Sequence, residues 1–299
     1  QMLIAEDLAR GDMGLAYAAL APLSFVNAIV HWGDQTQKSR LLPSFVEGEL
    51  SAASVALVEP QPLFDPHALR TTAKKRSSEY VLNGGKSMVA LARDAKWFLV
   101  AAEIPKVGPR FFLVEADASG LTVADEPAMG LRSAALGRLK LRNVRVSEDA
   151  LLGGEAALKE KGKAAYDDAV NRARVAWGAL AVGASQALLD YVIPYCNDRV
   201  AFGEPISHRQ AVAFMVADIG IELESMRMLV YRAAGRIDGG LRCDREAYLA
   251  RTLCAEKAMQ IGTNGVQLLG GAGFIKDHPV EIWYRHLRAV GVMDGNLLL

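Results

Sequence analysis

Arg199-Val-Ala-Phe-Gly-Glu-Pro-Ile-Ser-His-Arg-Gln210 separates two long segments with helical apolar periodicity, at 168–198 and 208–236. A glycine and a proline within this stretch predict the end of the first helix. Ser207 is expected to cap the second helix, with Gln210 three residues later as its capping-box partner. The local pattern therefore predicts a connection between two helices, and this connection carries a cation and an aromatic ring.

The composition of the chain narrows the classes of function. Among its 299 residues, 34 basic and 34 acidic side chains give a formal net charge of zero, which argues against nucleic-acid binding through bulk electrostatics. The five histidines show no metal-ligand spacing, so we expect no metal site. The three cysteines are widely spaced and odd in number, which favours a reducing compartment. They are Cys196, Cys243 and Cys254.

The sequence predicts neither a membrane span nor a signal peptide. Its longest uncharged run, Val175 to Leu189, has 15 residues and is too short to cross a bilayer. Together with the cysteine usage, this predicts a cytoplasmic protein, or a mitochondrial matrix protein in a eukaryote. The chain begins with Gln1 in place of an initiating Met and stops abruptly at Leu299, so we expect further residues at both ends.

Changes in the apolar periodicity along the chain predict three domains. Residues 1–50 show helical periodicity, residues 51–152 consist of short β-rich runs, and residues 153–299 form long helical segments joined by short turns. The middle region predicts a small antiparallel barrel or sandwich, and the last region predicts an antiparallel helical bundle. We expect the first and last domains to be incomplete. Strands are expected at Ser54–Val58, Tyr80–Leu82, Trp97–Ala102, Phe111–Glu115 and Leu139–Val146, and bundle helices at 156–198, 208–237, 244–269 and 280–288.

Short signals refine this outline. Gly11-Asp12 predicts a break in the first helical segment, and Asp34 is placed to cap a short helix with Gln37 at the box position. Asn83-Gly84 between two apolar runs predicts a β-hairpin turn, because type I′ turns need positive φ at both central residues.

Two features near the end of the chain invite a chemical interpretation. Gly270-Gly-Ala-Gly-Phe274 follows a helix and lacks the spacing of a phosphate-binding loop, so the pattern favours a helix C-cap. Asp294 ends an apolar run, where burial would raise the pKa of its carboxyl and suit it to act as a general base. The same pattern is typical of an N-cap for a helix that begins near Leu297, and both interpretations stay open at this point.

Taken together, these features resemble the acyl-CoA dehydrogenase family across essentially the whole chain. The matching order is helical domain, small β domain and four-helix bundle, which implies a mainly α fold with a small antiparallel β domain. The matching motifs are Arg199-x-x-Phe-Gly-x-Pro-Ile-x-x-x-Gln210, Gln267-Leu-Leu-Gly-Gly-Ala-Gly-Phe274, Pro279-Val-Glu281, Arg285, Glu59-Pro60 and Tyr80-Val-Leu-Asn-Gly-Gly-Lys86.

The resemblance implies an oxidoreductase of fatty acid and lipid metabolism. The family binds FAD and oxidises acyl-CoA thioesters to the 2,3-enoyl form, with a carboxylate removing the α-proton while the β-hydride passes to flavin N5. Asp294 stands at the position of that carboxylate, and Arg174 at a substrate-binding position. In such proteins the Arg-x-x-Phe turn reaches the FAD of a neighbouring subunit, so Arg199 is expected to bind the pyrophosphate and Phe202 to contact a ring. The further FAD contacts implied are Gln210, Gln267 and Gly271.

The chain also departs from the family pattern. The glycine-rich loop over flavin and substrate reads Val58-Glu-Pro-Gln-Pro-Leu-Phe-Asp65, and Phe64 replaces a small serine. The Trp-x-Thr flavin contact reads Met88-Val-Ala90, which lacks both the aromatic wall and the hydroxyl. The catalytic Glu-Gly-Thr reads Asp294-Gly-Asn296, and the alternative base position before Arg174 holds Ala173. The contacts with the chain's own flavin are therefore degenerate, whereas those offered to a neighbour are kept.

Three hypotheses follow. In the first, the chain is an active acyl-CoA dehydrogenase with Asp294 as base, an acyl-CoA substrate and an electron-transfer acceptor. In the second, it is a cofactor-poor partner in a hetero-oligomer, and it completes the FAD site of another subunit. In the third, it is a nitroalkane-oxidase-like flavoenzyme that uses Asp294 to deprotonate a small carbon acid. Each implies a homo- or hetero-oligomer, with a dimer of dimers expected and FAD bound across a subunit interface.

Overall fold

A computed structural model of the chain describes residues 1–46 and 52–293. Helices, then strands, then helices follow in the predicted order. The α-helices are α1 (Met2–Trp32), α2 (Gln35–Leu41), α3 (Glu160–Asp198), α4 (Gln210–Asp238), α5 (Asp244–Leu269), α6 (Gly271–Phe274) and α7 (Val280–Val290). The strands are β1 (Ala53–Ala56), β2 (Thr72–Arg76), β3 (Glu79–Val89), β4 (Trp97–Ile104), β5 (Gly108–Glu115), β6 (Leu121–Asp125), β7 (Gly137–Ser147), β8 (Val200–Ala201) and β9 (Glu204–Pro205). The predicted boundary at 50/51 lies outside the described residues.

The described chain divides into two compact units. The helical unit contains residues 1–16, 129–131 and 171–293, and the sheet unit contains residues 17–46, 52–128 and 132–170.

The local signals in the first helices are confirmed. Asp12 has φ −155° and ψ 117°, and this extended residue kinks α1 at the predicted break. Its Oδ1 accepts a hydrogen bond of 2.7 Å from the Leu15 amide, as at a helix start. Asp34 and Gln37 form the predicted capping box, in which each side chain accepts from the other residue's amide. These features were predictable because their partners lie within three residues.

The sheet is mixed and not purely antiparallel. Its strand order is β1-β4-β2-β3-β7-β6, with β5 paired to the other side of β4. The β1–β4 and β2–β4 pairs are parallel, whereas β2–β3, β3–β7, β4–β5 and β6–β7 are antiparallel. The predicted class, mainly α with a small β domain, is confirmed, and the two parallel pairs are a correction to its detail. The sequence analysis also missed β2, whose residues are mostly polar and exposed, and β6, a short strand in which only Leu121 and Val123 pack against the core.

Alternate residues of the central strand β4 enter two different cores. Phe98, Val100 and Ala102 pack in one apolar cluster, and Leu99 and Ala101 pack in the other. Because side chains alternate across a strand, both faces of this strand are covered. The continuous apolar run predicted as a strand is therefore explained by burial on both faces.

The predicted hairpin turn at Asn83-Gly84 is wrong. Both residues lie inside the continuous strand β3, at an irregularity in its pairing with β7. Gly84 has φ +150°, and a Cβ there would lie 2.6 Å from the Thr71 Cα. The glycine thus serves a close approach of two chain segments, which is a second reason for glycine within a strand. The turn itself lies at 77–78, between β2 and β3.

Glycines also allow close helix packing in the helical unit. A Cβ on Gly183 of α3 would lie 2.1 Å from the Glu6 carbonyl oxygen of α1. A Cβ on Gly265 of α5 would lie 2.6 Å from Leu188 of α3. Both positions therefore exclude side chains and allow the helices to pack closely.

Two helices, α1 and α3, are long and apolar enough to cross a membrane by length and composition. The most apolar part of α1 is 44% buried within the structure, and that of α3 is 67% buried. Core helices pass the same test, so length and composition do not by themselves predict a span.

Candidate functional site

The opening stretch folds into a tight β-hairpin between α3 and α4. Strands β8 and β9 are joined by Phe202 and Gly203, whose φ angles of 55° and 86° are both left-handed. Such a pair is typical of the two-residue turns that match the twist of the flanking strands. The Ile206 amide closes the hairpin by donating 2.9 Å to the Arg199 carbonyl. A glycine adopts this conformation freely, whereas for phenylalanine it is strained, so the hairpin displays its ring at an energetic cost.

The Phe202 ring points into solvent, and charged side chains of the hairpin lie near it. Its side chain is 95% exposed. The Arg209 guanidinium carbon lies 5.8 Å from the ring centroid, within cation–π distance. Glu204 forms ion pairs with Arg209 at 3.0 Å and, when His208 is protonated, with His208 at 3.4 Å. These contacts hold the hairpin in place without covering the ring.

The other residues predicted to contact a cofactor are also accessible. Arg199 is exposed, and within the described part of the chain its guanidinium has no hydrogen-bond or ion-pair partner. Gln210 and Gln267 are exposed as well, at the start of α4 and in the last turn of α5. An exposed cation without an internal partner is available to an anion.

The predicted cap of α4 is wrong. Residues 206–208 form a 3₁₀ turn, α4 begins at Gln210, and its N-cap residue Arg209 makes no side-chain cap bond. The Arg209 carbonyl accepts from the amides of Val212 and Ala213 instead. Because the turn displaces the helix start, Ser207 lies three residues before the first helical residue and cannot form the expected capping box.

The glycine-rich segment is a helix end, as its sequence favoured. Helix α5 stops at Leu269, and Gly270 follows it with φ 58°. The Gly270 amide donates 3.0 Å to the Gln267 carbonyl. Gly271 is exposed and begins the single turn α6.

Arg174 lies on α3 and is half-buried. Its Nε is buried and has no hydrogen-bond partner among the described residues. Ala173 beside it carries no acid–base group, so α3 offers no base at this position. The structure leaves the predicted substrate-binding role of Arg174 untested.

In the sheet unit, the altered flavin loop is packed into the core. Phe64 is only 5% exposed and belongs to an apolar cluster with Phe111 and Tyr166. The Tyr166 hydroxyl donates 2.6 Å to the Pro66 carbonyl, which fastens the loop to α3. Leu63 adopts φ 53°, a left-handed conformation that is unusual for a branched side chain. Phe64 therefore has a structural use that a small serine would not have.

The second altered flavin segment is likewise engaged internally. Val89 and Ala90 are buried, and the Met88 amide donates 2.6 Å to a carboxylate oxygen of Glu126. The other oxygen of Glu126 accepts from the Ser87 hydroxyl at 2.7 Å and from Arg138 at 2.6 Å. This segment therefore presents neither an aromatic side chain nor a hydroxyl to a cofactor.

A buried ion pair lies at the base of the altered loop. Lys86 Nζ donates 2.9 Å to Glu59 Oε1 and 3.1 Å to the Leu57 carbonyl. Burial lowers the pKa of Lys86 to about 8, although the charge of Glu59 opposes the shift. Burial raises the pKa of Glu59, but Lys86 and the bonds from Thr71 and Arg70 outweigh it and leave that pKa below its usual value. The sequence did not predict this pair, because the two residues are 27 positions apart.

The predicted base, Asp294, lies outside the described residues. Helix α7 ends at Val290, and the described chain ends at Met293.

The sheet unit also contains a cavity of about 530 Å³. Its lining includes Trp32, Lys38, Arg110 and Tyr166, but none of the predicted site residues. In the described residues, no group of three His, Cys, Asp or Glu side chains is placed to hold a metal ion. The three cysteines are buried, and no disulfide joins them.

Comparison with known proteins decides the family. The chain matches the acyl-CoA dehydrogenase N-terminal domain over residues 1–49, the middle domain over 54–144 and the C-terminal domain over 160–297. It is 33% identical to an acyl-CoA dehydrogenase of Bacillus subtilis (strain 168) over 274 residues, which are 90% of this chain and 71% of the relative.

The chain belongs to the acyl-CoA dehydrogenase family. A 3-(aryl)acrylate reductase of Clostridium sporogenes is 31% identical over 88% of this chain and 70% of the relative, so the relatives of this chain differ in the substrates that their names give.

Solved structures agree with this assignment. The butyryl-CoA dehydrogenase from Megasphaera elsdenii superposes on this chain with a TM-score of 0.87 and 29% identity, covering 99% of this chain and 78% of that one. The FAD complex of PigA superposes with a TM-score of 0.89 and 26% identity, covering 99% and 78%. The predicted family, fold, oxidoreductase class and FAD as the family's cofactor are confirmed.

Proposed function

We propose that this chain is a subunit of an FAD-dependent acyl-CoA dehydrogenase that oxidises an acyl-CoA thioester to the 2,3-enoyl-CoA. The observation that supports this most is the hairpin, which exposes the ring of Phe202 on a strained main chain and also carries Arg199, an exposed cation without a partner among the described residues. Strain retained at an exposed position is typical of a binding site. By the family resemblance, this hairpin would serve the FAD of another subunit.

The chemistry of these residues fits an FAD. Arg199 would bind the pyrophosphate, Phe202 would contact a ring, and Gln210, Gln267 and Gly271 would lie beside the cofactor. When bound, the FAD supplies the acceptor for the hydride that leaves the β-carbon of the substrate. The exposure of these residues supports their availability to such a large ligand.

The chain's own catalytic task is to remove the α-proton. We propose Asp294 as the base, because it stands where the family has a catalytic carboxylate. Aspartate is one methylene shorter than glutamate, so the surrounding main chain has to place its carboxylate closely. Arg174 is proposed to contact the substrate.

A second candidate function rests on the sheet unit. The segments that would contact the chain's own flavin are engaged internally, with Phe64 in the core and the Met88 amide bonded to Glu126. These contacts favour a chain that binds little FAD by itself and completes the site of a related partner. An electron-transfer acceptor, assembly as a dimer of dimers and a cytoplasmic location remain part of the proposal.

The two candidate functions are distinguished by the amount of FAD that is bound per subunit. The chain is purified alone and together with an acyl-CoA dehydrogenase homologue encoded beside it, and the 450 nm absorbance per subunit is measured. About one FAD per subunit in the isolated chain would favour the self-sufficient enzyme and exclude the idle partner. Flavin that appears only in the complex would favour the partner function.

The proposed role of Asp294 as the catalytic base is tested by measuring the turnover of acyl-CoA thioesters. With a panel of acyl-CoA thioesters and an artificial electron acceptor, Asp294→Asn is expected to lower kcat by about 10²–10⁴-fold, the usual contribution of a general base. An unchanged rate would remove Asp294 from the mechanism. Consumption of nitroalkanes without acyl-CoA turnover would identify the third hypothesis.

A further inference from the structure

The cavity of the sheet unit is lined by residues from three separate stretches of the chain, at 31–38, 110–111 and 152–168. Its volume of about 530 Å³ is within the range of small-molecule binding sites. All of its lining residues belong to the sheet unit, so the cavity is complete within one compact unit. It is also separate from every residue that is proposed to bind FAD or acyl-CoA.

A buried glutamine fixes one wall of this cavity. Gln37 is 1% exposed, and its Nε2 donates to the carbonyls of Asp149 and Leu151, both at 2.8 Å. Its Oε1 accepts a bond of 3.0 Å from the amide of Gly153, a lining residue. These bonds join α2 to the segment that leads into α3. Because buried polar groups are costly to leave unpaired, this wall keeps its position without a ligand.

A buried arginine fixes another wall. Arg110 lines the cavity and is 3% exposed. Its Nε, Nη1 and Nη2 donate to the main-chain carbonyls of Ala157, Pro109 and Lys159, respectively. Each nitrogen of the guanidinium is thus engaged by the protein itself, so Arg110 shapes the cavity and holds the chain that enters α3.

Two lysines supply positive charges that the protein itself does not pair. Lys38 and Lys161 line the cavity, and they are half-buried and exposed, respectively. Within the described part of the chain, neither ammonium group has a hydrogen-bond or ion-pair partner. The lining also contains two carboxylates, but Asp34 accepts a bond of 2.8 Å from the Gln37 amide and Asp168 has an interaction within the protein. The charged groups left for a ligand are therefore the two cations.

The rest of the lining is aromatic or small. Trp32 is half-buried beside His31, with ring centroids 5.7 Å apart. Phe111 and Tyr166 are 6% and 1% exposed, and their ring centroids lie 4.9 Å apart. Aromatic side chains bury large apolar area and stack on flat groups. The cavity thus combines cations with an apolar, aromatic surface.

We propose that this cavity binds a small amphipathic anion, whose aromatic or apolar body packs against Trp32 and whose carboxylate or phosphate contacts Lys38 and Lys161. A lysine ammonium binds either headgroup as a point charge, so the two anions share this chemistry. The inference goes beyond the proposed function, and it can fail or succeed independently of the FAD site.

The first measurement is isothermal titration calorimetry of the purified protein with four probes. They are phenylacetate, phenyl phosphate, the neutral phenylacetamide and inorganic phosphate. We expect at least one aromatic anion to bind with a Kd of about 1 mM or lower, as a ligand of this size allows. Tighter binding of phenylacetate would identify the carboxylate, and tighter binding of phenyl phosphate the phosphate. Phenylacetamide should bind at least about 10-fold more weakly, because it has no charge.

Three results of this titration would overturn the proposal. The first is no binding of either aromatic anion at about 10 mM, well above the expected Kd. The second is equal binding of phenylacetamide, which would exclude a function of the lysines. The third is equal binding of inorganic phosphate and phenyl phosphate, which would show an adventitious ion only.

Lysine variants test the charged side of the cavity. Lys38→Met and Lys161→Met are each expected to weaken binding by about 5-fold, the upper end for a solvent-accessible ion pair, and the double variant by about 25-fold. Lys159→Met is the matched control, because Lys159 is exposed, lies just before α3 and does not line the cavity. Its affinity should stay within about twofold of the natural chain. Equal losses in all three single variants would show general attraction to a basic surface and would contradict the site.

A volume change tests the location without altering any charge. Ala165 lies on α3, is half-buried and lines the cavity, so Ala165→Leu should fill part of it and weaken the aromatic anion by at least about 10-fold. Ala164→Leu is a second variant at an exposed lining position, which keeps the test usable if Ala165→Leu does not fold. Circular dichroism and the melting temperature establish that each variant is folded. Unchanged affinity in the folded variants would place the ligand elsewhere and overturn the proposal.

Discussion

Lys86 Nζ lies 2.9 Å from Glu59 Oε1, and both side chains are closed to solvent, with exposures of 0% and 2%. The pair joins β3 to the start of the loop that departs most from the family's flavin motif. Removing one partner of a buried pair leaves an uncompensated charge, whereas removing both can be nearly neutral.

We therefore expect Lys86→Met to lower the free energy of unfolding by about 3–5 kcal/mol. Glu59 would keep its bonds from the Arg70 and Thr71 amides but would lose its countercharge. The double variant Lys86→Met/Glu59→Gln is expected to recover part of this loss. Denaturant unfolding measures all three proteins, and a double variant that is less stable than Lys86→Met would contradict the account.

The same lysine predicts a dependence of stability on pH. Its pKa is lowered to about 8 in the fold by burial, whereas in an unfolded chain it is about 10.4. Between these values the unfolded chain binds a proton that the folded chain does not, so this residue makes stability rise with pH. The difference in unfolding free energy between the natural chain and Lys86→Met should therefore grow from pH 8 to pH 9.5. A constant difference would show that Lys86 stays charged.

A buried histidine, His286, is expected to lower the stability of the fold at acid pH. Its Nδ1 accepts a bond of 2.9 Å from the Leu131 amide, and burial lowers its pKa despite the nearby Asp12. Below about pH 6.5 the unfolded chain takes up a proton at this histidine before the folded chain does, so stability falls as the pH decreases. His286→Asn keeps an acceptor and removes the titration. Unfolding at pH 7 and pH 5.5 should show a smaller loss in the variant, and an equal loss would exclude His286 as the cause.

In the hairpin, we expect replacement of Phe202 to stabilise the fold and to weaken FAD binding. Phe202→Gly should raise the unfolding free energy by up to about 1 kcal/mol, because glycine adopts a φ of 55° without strain. The same change removes the exposed ring, so FAD in the assembly should dissociate faster. Thermal unfolding and flavin release are measured together. A destabilised variant would show that the ring contributes to the fold itself.

Arg199→Ala separates binding from folding in the same hairpin. The side chain is exposed and has no partner within the described residues, so the melting temperature of the isolated chain should not change. The assembly should lose FAD, because a charge-assisted bond is expected to contribute about 1.5–3 kcal/mol. Retained FAD in Arg199→Ala would contradict the pyrophosphate assignment.

In the altered flavin loop, Phe64 is a core residue at a position where the family has a binding residue. Phe64→Ala should lower the unfolding free energy by about 3–5 kcal/mol, because the ring is only 5% exposed. Leu63→Ala is the matched control, since its side chain is 54% exposed and should change stability by at most about 0.5 kcal/mol. Equal effects of the two changes would show that Phe64 is not part of the core.

Local signals in the sequence predicted many features of the fold. The capping box of Asp34 and Gln37, the kink at Asp12 and the helix end at Gly270 all depend on groups within a few residues of one another. The family motifs also predict that Arg199 and Phe202 contact FAD, and these roles stay predictions.

Two local signals were misread because tertiary contacts overrode them. Asn83-Gly84 has the composition of a turn, but the strand continues there because Gly84 has to pass close to Thr71. Ser207 has the composition of a cap, but the preceding hairpin moved the start of α4 to Gln210.

The sequence by itself determined the broad order of helical and β regions, several helix ends and the family, because these depend on periodicity, capping and motif spacing. Only the tertiary structure decided that Lys86 neutralises Glu59 and that Phe64 fills the core. The physical reason is distance along the chain. Burial and charge pairing join residues that no local pattern connects. The energies of these interactions depend on the exclusion of water, which only the complete fold achieves.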